Sequence, residues 1–240
     1  MLVSVITVVA ALAVQANAHM SLEEPPARNV MWRMGFNQLP AHRDDDYLIC
    51  NESGGKKCPP CGDSADSPPP YPHQAGGIWA TGIITRTYTI GQTVEVHVNV
   101  TRSHGGHLEF KLCPNDDTSV PVDQRCLDQY PLEIVDRRSK KAKISAPYDE
   151  PELISLKVRL PNGLTCDQCV LQMTNFAEQF KPQNIMFRNC ADIAIVADAK
   201  TSGAAGKPVA FNARPTGNRE PFPVQRQHTL FNNKPSTHFG

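Results

Sequence analysis

The sequence contains little that would predict a helical, membrane-spanning or nucleic-acid-binding protein. Its 24 basic residues are balanced by 24 acidic residues, so the formal net charge is zero and no basic surplus points to nucleic acid. After the first 18 residues no apolar run is long enough to cross a bilayer, and no stretch keeps a helical period over three turns. Aromatic residues make up only 7%, whereas prolines number 21. This profile is typical of short strands joined by ordered loops.

The first residues predict export from the cell. Residues 2–14 are almost entirely apolar and the run ends in Ala16-Asn17-Ala18, which is typical of a signal peptide, 1–18, cut after Ala18. We therefore expect a secreted, extracellular protein that begins at His19. A free α-amine and an imidazole nitrogen on one residue can chelate a metal ion. The alternative is that His19 is incidental to the cleavage site.

The cysteine count fits an extracellular chain. An even number after a signal peptide predicts four disulfides, although eight cysteines allow 105 pairings and the sequence leaves them open. The two Cys-x-x-Cys steps lie too far apart for a zinc ribbon, and no βαβ pattern surrounds them, as a thioredoxin-like redox site would require. The cysteines are Cys50, Cys58, Cys61, Cys113, Cys126, Cys166, Cys169 and Cys190.

Alternating apolar residues predict an all-β domain. Such residues mark strands around 94–100, 108–112 and 154–160, and two further strands are expected at 170–176 and 186–196. Residues 85–90 also have strand character. The best architecture is an antiparallel β-sandwich with long loops, and an open barrel is the alternative.

The segments outside these strands are interpreted as loops and a tail. Residues 19–80 are rich in loop signals, and Asp44-Asp45-Asp46 within them is interpreted as a solvated turn, since it lacks the alternating spacing of a calcium loop. Residues 199–240 have too few apolar residues for a core and are expected to form an extended or disordered tail. Sequons at Asn51 and Asn99 allow glycosylation, although such short motifs also arise by chance.

A second histidine-rich stretch follows the strand at 94–100. It reads Ser103-His104-Gly105-Gly106-His107, at the type of strand end where loops carry function on a rigid scaffold. His104 is the candidate partner of His19. His107 is a candidate third metal ligand. Because it lies three residues beyond His104, across two glycines, we interpret it instead as a surface or supporting residue. His97, on the polar face of the strand, is interpreted as a surface histidine.

Taken together, several segments resemble the lytic polysaccharide monooxygenases of insects and other invertebrates. The resemblance covers residues 19–198 and implies a copper-dependent enzyme with an immunoglobulin/fibronectin-like β-sandwich. It also implies a monomer that takes electrons from an external donor and uses O2 or H2O2 to abstract hydrogen at C1 or C4 of insoluble chitin or cellulose. The segments are His19 with Glu23 to Arg28, Met31-Trp32-Arg33, Cys58 to Asp63, Gly82 to Thr85, Ser103 to Gly106, Cys169 to Gln172 and Phe187 to Ile193.

The same resemblance implies the site residues. His19 matches the N-terminal copper ligand, with its amine and one ring nitrogen, and His104 matches the second histidine. Three nitrogens suit copper, since Cu(II) favours imidazole and amine ligands in tetragonal geometry. Phe187 falls at the axial position, where it shields the metal without coordinating it. The alternative for Phe187 is an ordinary core residue.

Two departures from the family pattern keep a rival function open. Arg102 stands where relatives commonly have Ala, which places a cation near the open face of the metal. Residues 173–180 replace a longer loop that carries a further cysteine pair. The rival is a non-catalytic protein that holds copper or binds polysaccharide with the same two histidines. A third alternative is a metal-free structural protein associated with cuticle.

Overall fold

Two β-sheets packed face to face form the protein. The computed structural model describes residues 19–36 and 38–197. One sheet has the strand order β1-β4-β8-β6; the other has the order β2-β10-β9-β5-β7, with β3 also paired to β10. The strands are β1 (His19–Glu24), β2 (Ile49–Asn51), β3 (Arg86–Thr89), β4 (Thr93–Arg102), β5 (His107–Pro114), β6 (Glu133–Ile134), β7 (Ala142–Lys143), β8 (Glu152–Arg159), β9 (Cys166–Phe176) and β10 (Ile185–Val196).

Alternation along the sequence decides which faces meet in the core. Apolar residues at every second position of β4 and β8 are buried, while the residues between them face outward. These buried residues belong to one hydrophobic cluster, which includes, from the other sheet, Leu108, Phe110 and Leu112 of β5 and Leu171 and Met173 of β9. The predicted β-sandwich is therefore confirmed, and the open barrel is wrong. The pairing is antiparallel except between β3 and β10, which run parallel.

The described chain has four disulfides, as the cysteine count predicts; three attach loops or the helix after β5 to the sandwich, and the fourth lies within β9. They join Cys50 to Cys58, Cys61 to Cys190, Cys113 to Cys126 and Cys166 to Cys169. The described chain has no free cysteine, so a cysteine zinc site is excluded there. The bridge from Cys61 connects the loop after β2 to the middle of β10.

The structure corrects three expectations. A strand, β1, begins at His19 within the segment interpreted as loops, and a two-turn helix, α1 (Gln124–Gln129), follows β5. Asp45 and Asp46 are not in a solvated turn: Asp45 is buried and accepts hydrogen bonds from Trp32 and Arg33. Residues 173–176 belong to β9, as the strand expected at 170–176 predicts, and the loop begins after them.

Other expectations concern residues outside the described part of the chain. These are the signal peptide at 1–18 and the tail at 199–240. Among the described residues, no helix is long and apolar enough to span a membrane.

Candidate metal centre

His19 lies at the first position of β1, where the strand is paired to the end of β4. Its partner in the register is Arg102, so His19 and the loop after β4 meet at one end of the four-stranded sheet. The Nδ1 atom of its ring lies 2.8 Å from Oδ1 of Asp46. The other carboxylate oxygen of Asp46 accepts a hydrogen bond from Thr101, and its carbonyl accepts one from the backbone N–H of Met20. Asp46 therefore holds both the backbone and the ring at this strand end.

His104 is fully buried in the turn between β4 and β5. The turn is tight because Gly105 and Gly106 both have positive φ, and a Cβ on Gly106 would lie 1.9 Å from the carbonyl oxygen of Phe176. The carbonyl of His104 accepts hydrogen bonds from the N–H groups of Glu178 and Gln179, each at 3.1 Å. The loop after β9 thus clamps the histidine backbone.

The two ring nitrogens of His104 have different environments. Nδ1 hydrogen-bonds to Oε1 of Gln179. Because an amide oxygen only accepts, Nδ1 carries the proton and Nε2 presents a lone pair. Nε2 is buried and has no hydrogen-bond partner in the described structure. Burial lowers the pKa of His104, and the nearby charges of Arg102 and His19 act in the same direction, against Gln179 and Asp149. The ring is therefore a neutral nitrogen donor near neutral pH.

Two phenylalanine rings pack against the imidazole of His104. The Phe187 ring lies 6.2 Å away in a stacked arrangement, and the Phe180 ring lies 4.5 Å away and tilted. Phe187 is fully buried on β10, between Ile49 of β2 and Asn175 of β9. Phe187 is part of the core and also contacts His104. The interpretation as a core residue and the interpretation as a residue at the metal site are therefore compatible.

Arg102 and His107 have partners away from the candidate ligands. Arg102 donates a hydrogen bond to Asp149 at 2.7 Å. The ion pair holds the guanidinium in place and offsets its positive charge. Nε2 of His107 lies 3.1 Å from Oε1 of Glu109, and its ring stacks on Phe176. These contacts give His107 a supporting role on β5, as its spacing from His104 suggests.

Side chains alone do not form a complete metal site here. Among residues 19–36 and 38–197, no three His, Cys, Asp or Glu side chains come together in a group that could hold a metal ion. The main-chain nitrogen of His19 is therefore a candidate third donor for an ion at His19 and His104. While Ala18 remains attached, the nitrogen of His19 is an amide; its removal converts that nitrogen into an amine. The unpartnered Nε2 of His104 is the atom that fits such an ion.

The surface around the two histidines presents two tyrosine rings. Tyr47 lies 5.3 Å from the His19 ring, and Tyr148 packs against Gly105; both tyrosines are well exposed. A pocket of about 620 Å³ lies behind the turn, lined by His107, Phe176 and lysines, but neither candidate ligand lines it.

Three contributors to the site were not identified from the sequence: Asp46, Gln179 and Phe180. Asp46 stands in an acidic run that is typical of a solvated turn, and the other two stand in a segment noted only for its departure from the family pattern. No local signal indicates that any of them contacts a histidine, because each contact joins residues at least 27 positions apart.

Comparison with known proteins identifies relatives. A family model described as lytic polysaccharide mono-oxygenase, cellulose-degrading, matches residues 19–193. The structure is similar to that of a lytic polysaccharide monooxygenase from Thermobia domestica in the Cu(I) state. Their sequences are 34% identical, the match covers 74% of this chain and 98% of the other, and the TM-score is 0.65. No curated protein sequence matches this chain.

Two further solved structures are more distant. A cellulose-active lytic polysaccharide monooxygenase, CelS2, in complex with copper is 14% identical, with 75% of this chain and 100% of the other covered and a TM-score of 0.48. One important for efficient utilisation of chitin in Cellvibrio japonicus is 13% identical, with 73% and 98% covered and a TM-score of 0.45. Neither similarity is close enough to support a functional conclusion.

Proposed function

Because this chain belongs to the lytic polysaccharide monooxygenases, copper-dependent enzymes that cleave polysaccharides oxidatively, we propose that His19 and His104 hold its copper. The observation that carries the proposal is the buried Nε2 of His104, which has a lone pair and no partner. A buried polar atom without a hydrogen bond costs about 1–3 kcal/mol. Coordination to copper would remove that cost, since imidazole nitrogen is a preferred ligand of this metal.

His19 supplies the other two nitrogens in this proposal. Secretion with removal of residues 1–18 gives it a free amine, and the amine and Nδ1 of one histidine can close a chelate ring on a metal ion. Nδ1 now bonds to Asp46, so metal binding exchanges a hydrogen bond for a coordinate bond. The family match begins at residue 19, which supports this start of the secreted protein.

The surrounding residues prepare the site. Bound copper supplies the redox chemistry, accepting electrons from an external donor and activating O2 or H2O2 for attack on C1 or C4. Gln179 keeps the proton on Nδ1 of His104 and leaves Nε2 free. Phe187 and Phe180 exclude water from the buried side of that ring, and at the axial position that the family resemblance implies, Phe187 would shield a bound ion without adding a ligand. Asp149 accepts a hydrogen bond from Arg102, so the positive charge of Arg102 is balanced near the open face of the metal site.

The proposed substrate is the surface of insoluble chitin or cellulose, with chitin preferred. Tyr47 and Tyr148 expose ring faces beside His19 and Gly105, and aromatic rings can pack against the apolar faces of sugars. We propose that the enzyme acts as a secreted monomer.

A product assay with matched N-termini tests this function. One protein begins at His19 and the other carries a single extra Ala before it. With copper, ascorbate and a low level of H2O2, we expect oxidised oligosaccharides from β-chitin or cellulose only from the first protein, because the second lacks the amine ligand. Mass spectrometry measures the products, and a chelator or His104→Ala should abolish them.

The outcomes separate the proposal from its rival. Tight copper binding without oxidised products from either polymer would favour the non-catalytic copper-holding protein. In that case Arg102→Ala tests whether the cation blocks the open face. Equal activity of the two N-terminal forms would contradict His19 as the ligand.

A further inference from the structure

We propose that His42 and His73 form a second metal site, separate from His19 and His104, for a divalent ion that prefers imidazole, such as Zn2+ or Cu2+. His73 lies in the loop that follows Cys61, and His42 lies in the loop before β2. Their ring centres are 5.2 Å apart and the ring planes are inclined by 34°. With metal–nitrogen bonds of about 2.0–2.1 Å, two imidazoles on one tetrahedral ion have ring centres about 5 Å apart.

His73 has the hydrogen bonding that metal-bound histidines usually show. Its Nδ1 lies 2.7 Å from Oδ1 of Asp63, and both carboxylate oxygens of Asp63 also accept from its backbone N–H at 3.2 Å. Since the carboxylate accepts, Nδ1 carries the proton. A carboxylate behind one ring nitrogen orients the ring and makes the other nitrogen a better ligand.

The other nitrogen of His73 is the observation that points to a ligand. His73 is only 3% exposed, and its Nε2 is buried with no hydrogen-bond partner in the described structure. Leaving this atom unpaired costs about 1–3 kcal/mol. The site of His104 has the same arrangement, with Nδ1 bonded to an oxygen and Nε2 unpaired.

The backbone of His73 is fixed by a buried ion pair. Its carbonyl accepts a hydrogen bond from Arg28 at 2.7 Å, and Arg28 in turn makes a bidentate ion pair with Asp192 at 2.6 and 2.7 Å. His42 is half-buried, so the ion can enter from its side and water can complete the coordination shell. Two protein ligands agree with the lack of any three-residue metal cluster in the described chain.

A metal ion here would affect the first site through the loop that carries His42. The same loop carries Asp46 and Tyr47, which contact His19. Linking His42 to the fixed His73 would restrict that loop. The second site does not depend on where the secreted chain begins.

Sequential metal loading tests the proposal. The protein is first given one equivalent of copper, dialysed, and then titrated with Zn2+, and bound metals are counted by elemental analysis. We expect one additional zinc per chain. His42→Ala and His73→Gln should weaken zinc binding at least tenfold and leave the first copper in place. His104→Ala should weaken binding of the first copper ion and leave zinc binding unchanged. The two sites would then be shown to be independent.

Controls make either result decisive. His97→Ala changes an exposed histidine on β4 and should retain the zinc. A double variant of the two histidines in the segment 199–240, His228→Ala and His238→Ala, should also retain it. His42→Ala tests the same site without changing the buried His73, and its thermal unfolding should match that of the wild type. Using Cu2+ as the second ion shows which metal binds more tightly. The proposal is wrong if the wild type binds neither ion a second time, or if the second ion is lost only in a control variant.

Discussion

At the scale of single residues, three histidines have the same hydrogen-bonding arrangement at one ring nitrogen. His19, His73 and His104 each have Nδ1 next to a side-chain oxygen, supplied by Asp46, Asp63 and Gln179 respectively. For His73 and His104 the other ring nitrogen is buried and unpaired. For His73 and His104 the oxygen holds the proton on Nδ1 and leaves Nε2 to bind a metal ion, whereas His19 would have to give up its bond to Asp46 before Nδ1 could bind one.

Gln179→Ala should therefore weaken copper binding by about 10–100-fold, the usual effect of removing a partner behind a metal-bound histidine. Gln179→Glu should retain most of the affinity, because a carboxylate also accepts from Nδ1. Competition titration against a copper chelator measures both. Unchanged affinity in Gln179→Ala would show that Phe180 and Phe187 orient the His104 ring without it.

At the scale of the elements, β9 and β10 form the centre of the fold. Every residue of β9 from Gln168 to Asn175 is buried, whereas β8 alternates between buried and outward-facing positions. β9 also positions the site, because the loop that follows it carries Gln179 to His104. A side chain of the same type therefore contributes very differently to stability in the two strands.

Leu171→Ala in β9 should destabilise the protein by about 2–5 kcal/mol, because it removes buried methyl groups and leaves a cavity. Leu153→Ala in β8 is the matched control: Leu153 is 72% exposed, and its loss should change stability by less than about 0.5 kcal/mol. Denaturant unfolding with the disulfides intact compares the two. Equal effects would mean that the packing around β9 adjusts to fill the space.

At the scale of the whole molecule, one disulfide connects distant parts of the chain. Cys61–Cys190 spans 129 positions, whereas Cys166–Cys169 spans three. A crosslink restricts the unfolded chain more as the loop it closes becomes longer. The long bridge also joins the loop that carries Asp63 and His73 to β10, which carries Phe187.

Replacing both Cys61 and Cys190 by Ser should lower the free energy of unfolding by about 2–5 kcal/mol. The paired change of Cys166 and Cys169 to Ser should cost clearly less. Thermal or denaturant unfolding of the two double variants measures the difference. A larger loss from the short bridge would indicate that local geometry in β9, not chain entropy, dominates disulfide stabilisation here.

The sequence determined the parts of this protein that depend on local pattern. Alternation at residues 94–100 and 154–160 predicted the strands and their buried faces, since successive side chains of a strand point to opposite sides. The even cysteine count predicted four disulfides. The resemblance in the segments from His19 to Ile193 predicted the family, which the comparisons confirm, and its copper dependence follows from that membership.

Only the tertiary structure decided which cysteines pair and which residues surround each histidine. Asp46, Gln179 and Asp63 are polar residues in loops, and their local sequence predicts solvent exposure. Asp46 and Gln179 contact their histidines because the sandwich brings together loops that are 27 and 75 positions apart, whereas Asp63 and His73 meet within one loop, ten positions apart. No periodic pattern encodes any of these contacts. Asp45 is likewise buried because the side chains of Trp32 and Arg33 donate hydrogen bonds to its carboxylate, which its acidic neighbours in the sequence did not indicate.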